Sequence, residues 1–283
     1  MLRRACQGWG TSQPQRDSGI RMSRSRSALV YRSALAAAAV SFGAIFVHAL
    51  LGPAGLVTAA LACGIRLALP LELILRWHPR FRTARVPFPA ESAILVPTVA
   101  ELSRRCGLDP PPRLRIADRC GLNAYALATP AGAAIVIGRE VLSRLDHRER
   151  AGVLAHELVH LGQGDSYVGW LWAAARALAV IVVLAGAVLG PQALQGLPEA
   201  TSPTAVLGLL IAAAAAFVLD RRVHRMLEAN ADLGAVQLTG DAGALGAALA
   251  KHRARLPAGS DATSIDRRIA QLDRLAGRPD RQA

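Results

Sequence analysis

The sequence predicts a mainly α-helical chain with one small β-sheet, arranged as four transmembrane helices plus a cytoplasmic α+β domain. Three observations carry that expectation. Apolar residues make up 52% of the 283 and are bunched into long Ala/Leu/Val runs instead of short periodic stripes. The arginines cluster beside those runs, as they do where cytoplasmic loops meet a bilayer. Between the second and third runs, short strand-like alternations give way to a capped helix.

Residues 1–32 are rich in Arg, Ser, Gln and Gly with little apolar periodicity, so a disordered basic tail is expected there. Met22 offers an alternative start. Residues 33–75 read as a transmembrane hairpin. Its first apolar stretch, 34–51, is long enough to cross a hydrocarbon core of roughly 30 Å as a helix. Gly52-Pro53 breaks it, and a second stretch, 54–75, runs into the basic segment RWHPRFRTAR. A cleaved signal peptide is the competing reading of the first stretch, but the second would still anchor the product.

Residues 76–167 form the cytoplasmic part. Here 97–107 reads as a helix ended by the prolines at 110–112, and 113–118 and 123–129 alternate like strands. A short apolar strand follows at 133–138, after a hairpin turn over 129–132. Asp146 with Glu149 resembles a capping box, starting a helix that runs to about Gln163. Residues 168–219 read as a second transmembrane hairpin, apolar over 168–189 and 204–219, with a pair of buried soluble helices as the alternative. Residues 220–283 return as a cytoplasmic helical part. Arginine counts orient the whole: the tail, the segment after the second stretch and DRRVHR at 220–225 are basic, whereas 190–203 holds neither Lys nor Arg. That asymmetry puts both termini and 76–167 on the cytoplasmic side of a multi-pass protein of the inner (plasma) membrane.

The formal charge of +13 comes from 33 basic residues, of which only Lys251 is lysine. Binding to nucleic acid would need aromatic side chains interleaved with that charge. They do not interleave, so juxtamembrane topology accounts for the clusters and no nucleic-acid partner is expected. Cys6, Cys63, Cys106 and Cys120 lack the close pairing of zinc knuckles or disulfide frameworks and read as reduced thiols.

The capped helix contains AHELVHLGQGD. His156 and His160 stand four apart, so both imidazoles leave one helical face and can grip a single metal ion, with Glu157 beside them. Zinc in such a site acts as a Lewis acid and lowers the pKa of its water while a carboxylate takes the proton, which points to amide hydrolysis. Two helix histidines without a metal are the bland alternative. A catalytic zinc needs a third protein ligand, and LEANAD at 227–232 offers Glu228 and Asp232 one turn apart. Glu228 is the expected ligand, and Asp232 the carboxylate that orients a ligand imidazole through its ring N–H. His224, one turn before Glu228, is a fallback ligand, a donor to the developing oxyanion, or simply a juxtamembrane polar residue.

HELVHLGQGD, followed by two apolar spans and then EANAD, resembles the HtpX-type heat-shock metalloproteases and the related CAAX prenyl endopeptidases. The similarity runs from about Leu122 to Leu249, taking in NAYAL, IVIG and AVQLTGDAGALGAAL. It implies a zincin-like catalytic domain with one zinc per chain held by His156, His160 and Glu228, with Glu157 as general base and Asp165 supporting a ligand as Asp232 does. It also implies that NAYAL is an edge strand aligning an extended substrate, with Asn123, Ala124 and Tyr125 pairing to the substrate backbone. Ala229 and Leu227 stand where that family often has an aromatic and an arginine, while Arg225 fits its pattern. The function so implied is a membrane-embedded zinc metalloendopeptidase that cuts membrane or misfolded proteins at the cytoplasmic face. Its partners would be a protein or peptide substrate and the lipid bilayer; no oligomeric state is implied. A signalling protease of the antirepressor type usually carries an extracytoplasmic sensor, for which the fourteen residues at 190–203 leave no room. A non-catalytic zinc scaffold would have no use for Glu157.

Overall fold

The computed structural model describes residues 71–129, 132–165, 221–222, 224–256 and 262–277. The first helix, α1 (Leu71–Trp77), is followed by α2 (Pro89–Cys106), β1 (Arg113–Ala117), a 3-10 turn at Asp118–Cys120, β2 (Ala124–Thr129) and β3 (Gly132–Gly138). Next come α3 (Arg139–Arg144) and α4 (His147–Gly162). A helix over 224–239, here α5, leads into α6 (Ala242–Arg253) and α7 (Ala262–Ala276). This is a mainly helical assembly around one three-stranded sheet. No helix among the described residues is long and apolar enough to cross a membrane. The expected spans at 34–51, 168–189 and 204–219, and all but the last residues of 54–75, lie outside the described residues.

The helix expected over 97–107 begins eight residues earlier, at Pro89. Its start is built by side chains: the Glu91 carboxylate accepts from the Phe88 backbone N–H at 2.7 Å and from both Nη atoms of Arg85 at 2.6 and 2.8 Å. Pro89 suits a first turn because its missing N–H would have no partner there. Pro97 therefore sits inside the helix, where it forgoes a backbone bond but does not end it. The short helix α3, between the last strand and α4, is a further element that the apolar pattern did not announce.

The strands order β1-β3-β2, with β1 parallel and β2 antiparallel to β3. Alternation sends Leu114, Ile116, Ile135 and Ile137 into the core shared with α2, α4, α5 and α6. It sends Ala117, Tyr125, Ala134 and Val136 to the other face, against Leu71, Leu75 and Phe81 from α1 and the turn after it. The outer edge of β1 is partly covered by a bridge from Arg85 to Ile116. Among the described residues, the outer edge of β2 pairs with no strand.

Helix α4 packs against α2, α6 and β2. The Asp146 carboxylate accepts from the N–H groups of Arg148 and Glu149 at 2.8 and 2.9 Å, and the Glu149 carboxylate accepts from the Asp146 N–H at 2.9 Å. Glu149 is buried, and Lys251 from α6 donates to it at 2.7 Å, so one carboxylate caps α4 and ties it to α6. Helix α5 buries Leu227, Ala231, Ala235 and Leu238 along one stripe. Glu228 and Asp232 follow that stripe by one position and so stand at its shoulder. A Cβ added to Gly234 would lie 2.8 and 2.9 Å from the two Val159 methyl carbons, so this glycine permits the close approach of α5 to α4.

Candidate metal centre

Three side chains from α4 and α5 converge with their donor atoms within 4.8 Å of one another: His156, His160 and Glu228. The two imidazoles leave the same face of α4 because they are separated by one turn. Their Nε2 atoms stand 3.1 Å apart, and the Glu228 carboxylate faces both, 3.5 Å from His156 Nε2 and 3.6 Å from His160 Nε2. Two ring nitrogens pointed at each other and at a carboxylate call for a shared cation between them.

The outer ring nitrogens are held as well. His160 Nδ1 lies 2.7 Å from Asp165 Oδ2, just past the end of α4, and His156 Nδ1 lies 2.9 Å from Asp232 Oδ1 on α5. A carboxylate at Nδ1 fixes the N–H on that atom and leaves Nε2 to coordinate, which is the usual support for a ligating histidine. Asp232 is 1% exposed and His156, Glu157 and Asp165 are also buried, so these orientations are set by packing and not by solvent. The donor set suits zinc, whose sites combine imidazole nitrogen and carboxylate oxygen, and three protein donors leave a position open for chemistry. Formal charge points the same way, since Glu157, Asp165, Glu228 and Asp232 outnumber the Arg268 guanidinium that contacts the cluster among the described residues, and they favour a dication there.

Burial pulls the His156 pKa down, but hydrogen bonds to Asp232 and Glu228 outweigh it and raise the value to about 9. Burial likewise opposes ionisation of Glu228 and Asp232, yet the His156 hydrogen bond and the Arg268 charge hold both carboxyls below the ordinary carboxylate range.

Arg268, from α7, is the part of this cluster that sequence reasoning missed. Its Nε donates to Asp232 Oδ2 at 2.8 Å and its Nη2 to Asp232 Oδ1 at 2.7 Å, while its Nη1 forms an ion pair with Glu228 Oε2 at 2.8 Å. A signal was present: Arg268 lies three residues after Ile265 and four before Leu272, both buried, which places a guanidinium on the apolar face of an amphipathic helix.

The other candidates lie around this cluster. Glu157 is 8% exposed and close enough for its charge to act on both His156 and Arg268. His224 Nε2 is 3.8 Å from Glu228 Oε1, but its side chain is 71% exposed and it is not among the three converging donors. Asn123 precedes β2 and Ala124 and Tyr125 begin it. Asn123 accepts from Gly138 N–H through its carbonyl at 2.8 Å, and its side-chain amide donates to the Tyr125 hydroxyl at 3.0 Å. The Tyr125 ring turns to the sheet face away from α4, where it meets Phe81 edge-on and its hydroxyl accepts from Arg80 at 3.3 Å. Cys106 and Cys120 are free thiols whose pKa values burial pushes up to about 11. Such thiols are poor nucleophiles.

Residues 89–275 match the model of peptidase family M48. Curated relatives agree with it. The chain is 35% identical over 178 residues to a protease HtpX homolog of Kineococcus radiotolerans, covering 61% of this chain and 60% of that protein. It is 35% identical over 162 residues to one from Ralstonia pickettii and 36% identical over 157 residues to one from Acidiphilium cryptum, each covering 55% of this chain and 54% of the relative. The chain thus spans little more than half the length of these relatives.

Proposed function

The chain belongs to peptidase family M48, and we propose from this that it is a membrane-embedded zinc endopeptidase acting on membrane or misfolded proteins at the cytoplasmic face. The observation that carries the reading is the convergence of His156, His160 and Glu228, with a carboxylate behind each imidazole. These three residues would hold one zinc ion. Bound there, zinc would polarise the scissile carbonyl and acidify water.

The remaining work falls to the chain's own groups. Glu157, adjacent to His156 and buried in the same cluster, takes a proton from the attacking water on its carboxylate and returns it to the departing amine. Its burial keeps bulk water from competing for that proton. Asp165 and Asp232 hold Nδ1 of His160 and His156, so that neither ring swings away as charge develops. His224, exposed one turn before Glu228 with its Nε2 3.8 Å from Glu228 Oε1, would be the donor to a developing oxyanion. Among the described residues the outer edge of β2 pairs with no strand, and an extended substrate would lie along it beside Asn123, Ala124 and Tyr125, with β2 packed on the helix that carries the histidines.

Membrane attachment is supported by the segment that enters the described region. Trp77 at the end of α1 is 81% exposed, next to Arg76, with Arg80 and Arg82 exposed in the turn beyond it. An exposed tryptophan among arginines suits the headgroup layer where the 33–75 hairpin would leave the bilayer.

The test is cleavage of casein, and of the chain itself, by the detergent-purified full-length protein beside its Glu157→Gln variant. The reading expects the variant to keep zinc and lose nearly all cleavage. Equal cleavage by both proteins would refute Glu157 as the base.

A further inference from the structure

We propose that Arg268 is a positioning residue for the metal site: one guanidinium, brought in by the C-terminal helix, fixes both the zinc-ligand carboxylate of Glu228 and the carboxylate that orients His156. The proposal rests on the zinc reading above.

A guanidinium offers its N–H groups in a rigid planar fork. Here Nε and Nη2 donate to the two oxygens of Asp232 side by side, and Nη1 forms an ion pair with Glu228 Oε2 at 2.8 Å. Asp232 Oδ1 then accepts from two donors at once, Arg268 Nη2 at 2.7 Å and His156 Nδ1 at 2.9 Å. The fork therefore settles where the acceptor for His156 stands, and with it the direction of that ring. On Glu228 the fork engages one oxygen and leaves Oε1, which faces His160 and His224, without a bond to the guanidinium. Arg268 thus sets the rotation of the Glu228 carboxylate about its own axis.

The arginine is itself held. Helix α7 docks on α6 through Leu272, whose Cβ lies 3.7 Å from the position a Cβ on Gly246 would take, and through the Arg253–Asp266 ion pair at 2.9 Å. Ile265 and Leu272, one turn either side of Arg268, are buried, and the Arg268 side chain itself is 17% exposed. Nothing in α7 other than Arg268 is bonded to His156, Glu228 or Asp232. A helix that carries no ligand therefore completes the site.

A lysine keeps the charge but not the fork, and the test uses that difference. Full-length wild type, Arg268→Ala and Arg268→Lys are purified in detergent. Zinc affinity is measured by competition with a chromophoric chelator, and the visible absorption of each cobalt-substituted protein is recorded, since that spectrum reports the arrangement of ligands around the metal. The expected result is zinc affinity lowered about ten- to a hundredfold in Arg268→Ala, a smaller loss in Arg268→Lys, and a cobalt spectrum altered in both. Should Arg268→Ala fail to fold, Arg268→Lys decides alone, because it leaves no carboxylate without a cation. A Lys variant with wild-type affinity and spectrum would overturn the proposal, and so would an Ala variant that matches wild type. If the wild type itself binds neither zinc nor cobalt, the zinc reading has failed instead.

Discussion

Replacing Gly234 with alanine tests whether the spacing of α4 and α5 sets the metal centre. A Cβ there would sit 2.8 Å from one Val159 methyl carbon and 2.9 Å from the other. Carbon atoms settle at about 3.5–4.0 Å, so the helices must part by roughly 0.7 Å or more unless Val159 gives way. Val159 is β-branched, 8% exposed and stiff at χ1, which makes movement of the helices the cheaper response. Stability should change little: overpacking costs about 1–3 kcal/mol and the better helix propensity of alanine returns about 1 kcal/mol. The metal site has no such compensation. His156 and His160 ride on α4 and Glu228 on α5, and ligand distances tolerate only about ±0.2 Å. Gly234→Ala should therefore weaken zinc binding about tenfold or more, read by chelator competition, while the melting temperature of the metal-free protein falls by no more than about 8 °C. Adding Val159→Ala should restore much of the affinity by making room. Wild-type zinc affinity in Gly234→Ala, or no recovery in the double variant, would refute the reasoning.

Three further outcomes follow from the same geometry. Zinc needs His156 neutral at Nε2, and its pKa in the metal-free fold is raised to about 9, so apparent zinc affinity should climb about tenfold per pH unit toward 9 and then level, as followed by chelator titration. In the metal-free protein the sign reverses: because the folded value lies above the unfolded one, the stabilisation from this group is fully present below about 6.5 and is lost as pH rises through 9, which melting curves across that window would register. Gly138→Ala should destabilise by more than about 1–3 kcal/mol in thermal or denaturant melts, since the added Cβ would fall 2.0 Å from the Gly121 carbonyl oxygen, a backbone atom that cannot step aside. Reporters placed within 190–203 and after Ala283 should behave as extracytoplasmic and cytoplasmic respectively, given the absence of arginine from that connection.

Local signals in the sequence explain why much of the site was legible. The spacing of His156 and His160, the Asp146–Glu149 cap and the four-residue step from Glu228 to Asp232 each act within a single helix, so helical period alone predicts their shared faces. The strands were readable for the same reason, since 113–117 and 133–138 carry their alternation or apolar run in place. Sheet order was not, because the parallel pairing of β1 with β3 and the outer position of β2 depend on contacts across the chain. The start of α2 was misplaced at Pro97 because a proline inside a helix looks like a helix start until Glu91 and Arg85 are seen building the earlier one. Arg268 escaped because its meaning lies 36 residues away at Asp232, and a lone arginine in a basic chain draws no notice until its helix face is counted.

The ligand set is the central claim, and zinc content measures it most directly. Full-length protein and its Glu157→Gln, Glu228→Gln and His224→Ala variants, purified identically without chelator, would be analysed for metal per chain. The account predicts one zinc in wild type, in Glu157→Gln and in His224→Ala, and substoichiometric zinc in Glu228→Gln, because a neutral amide oxygen is a weaker partner for the cation than a carboxylate. Zinc retained by Glu228→Gln but lost from His224→Ala, or absent from wild type even after its addition, would contradict it.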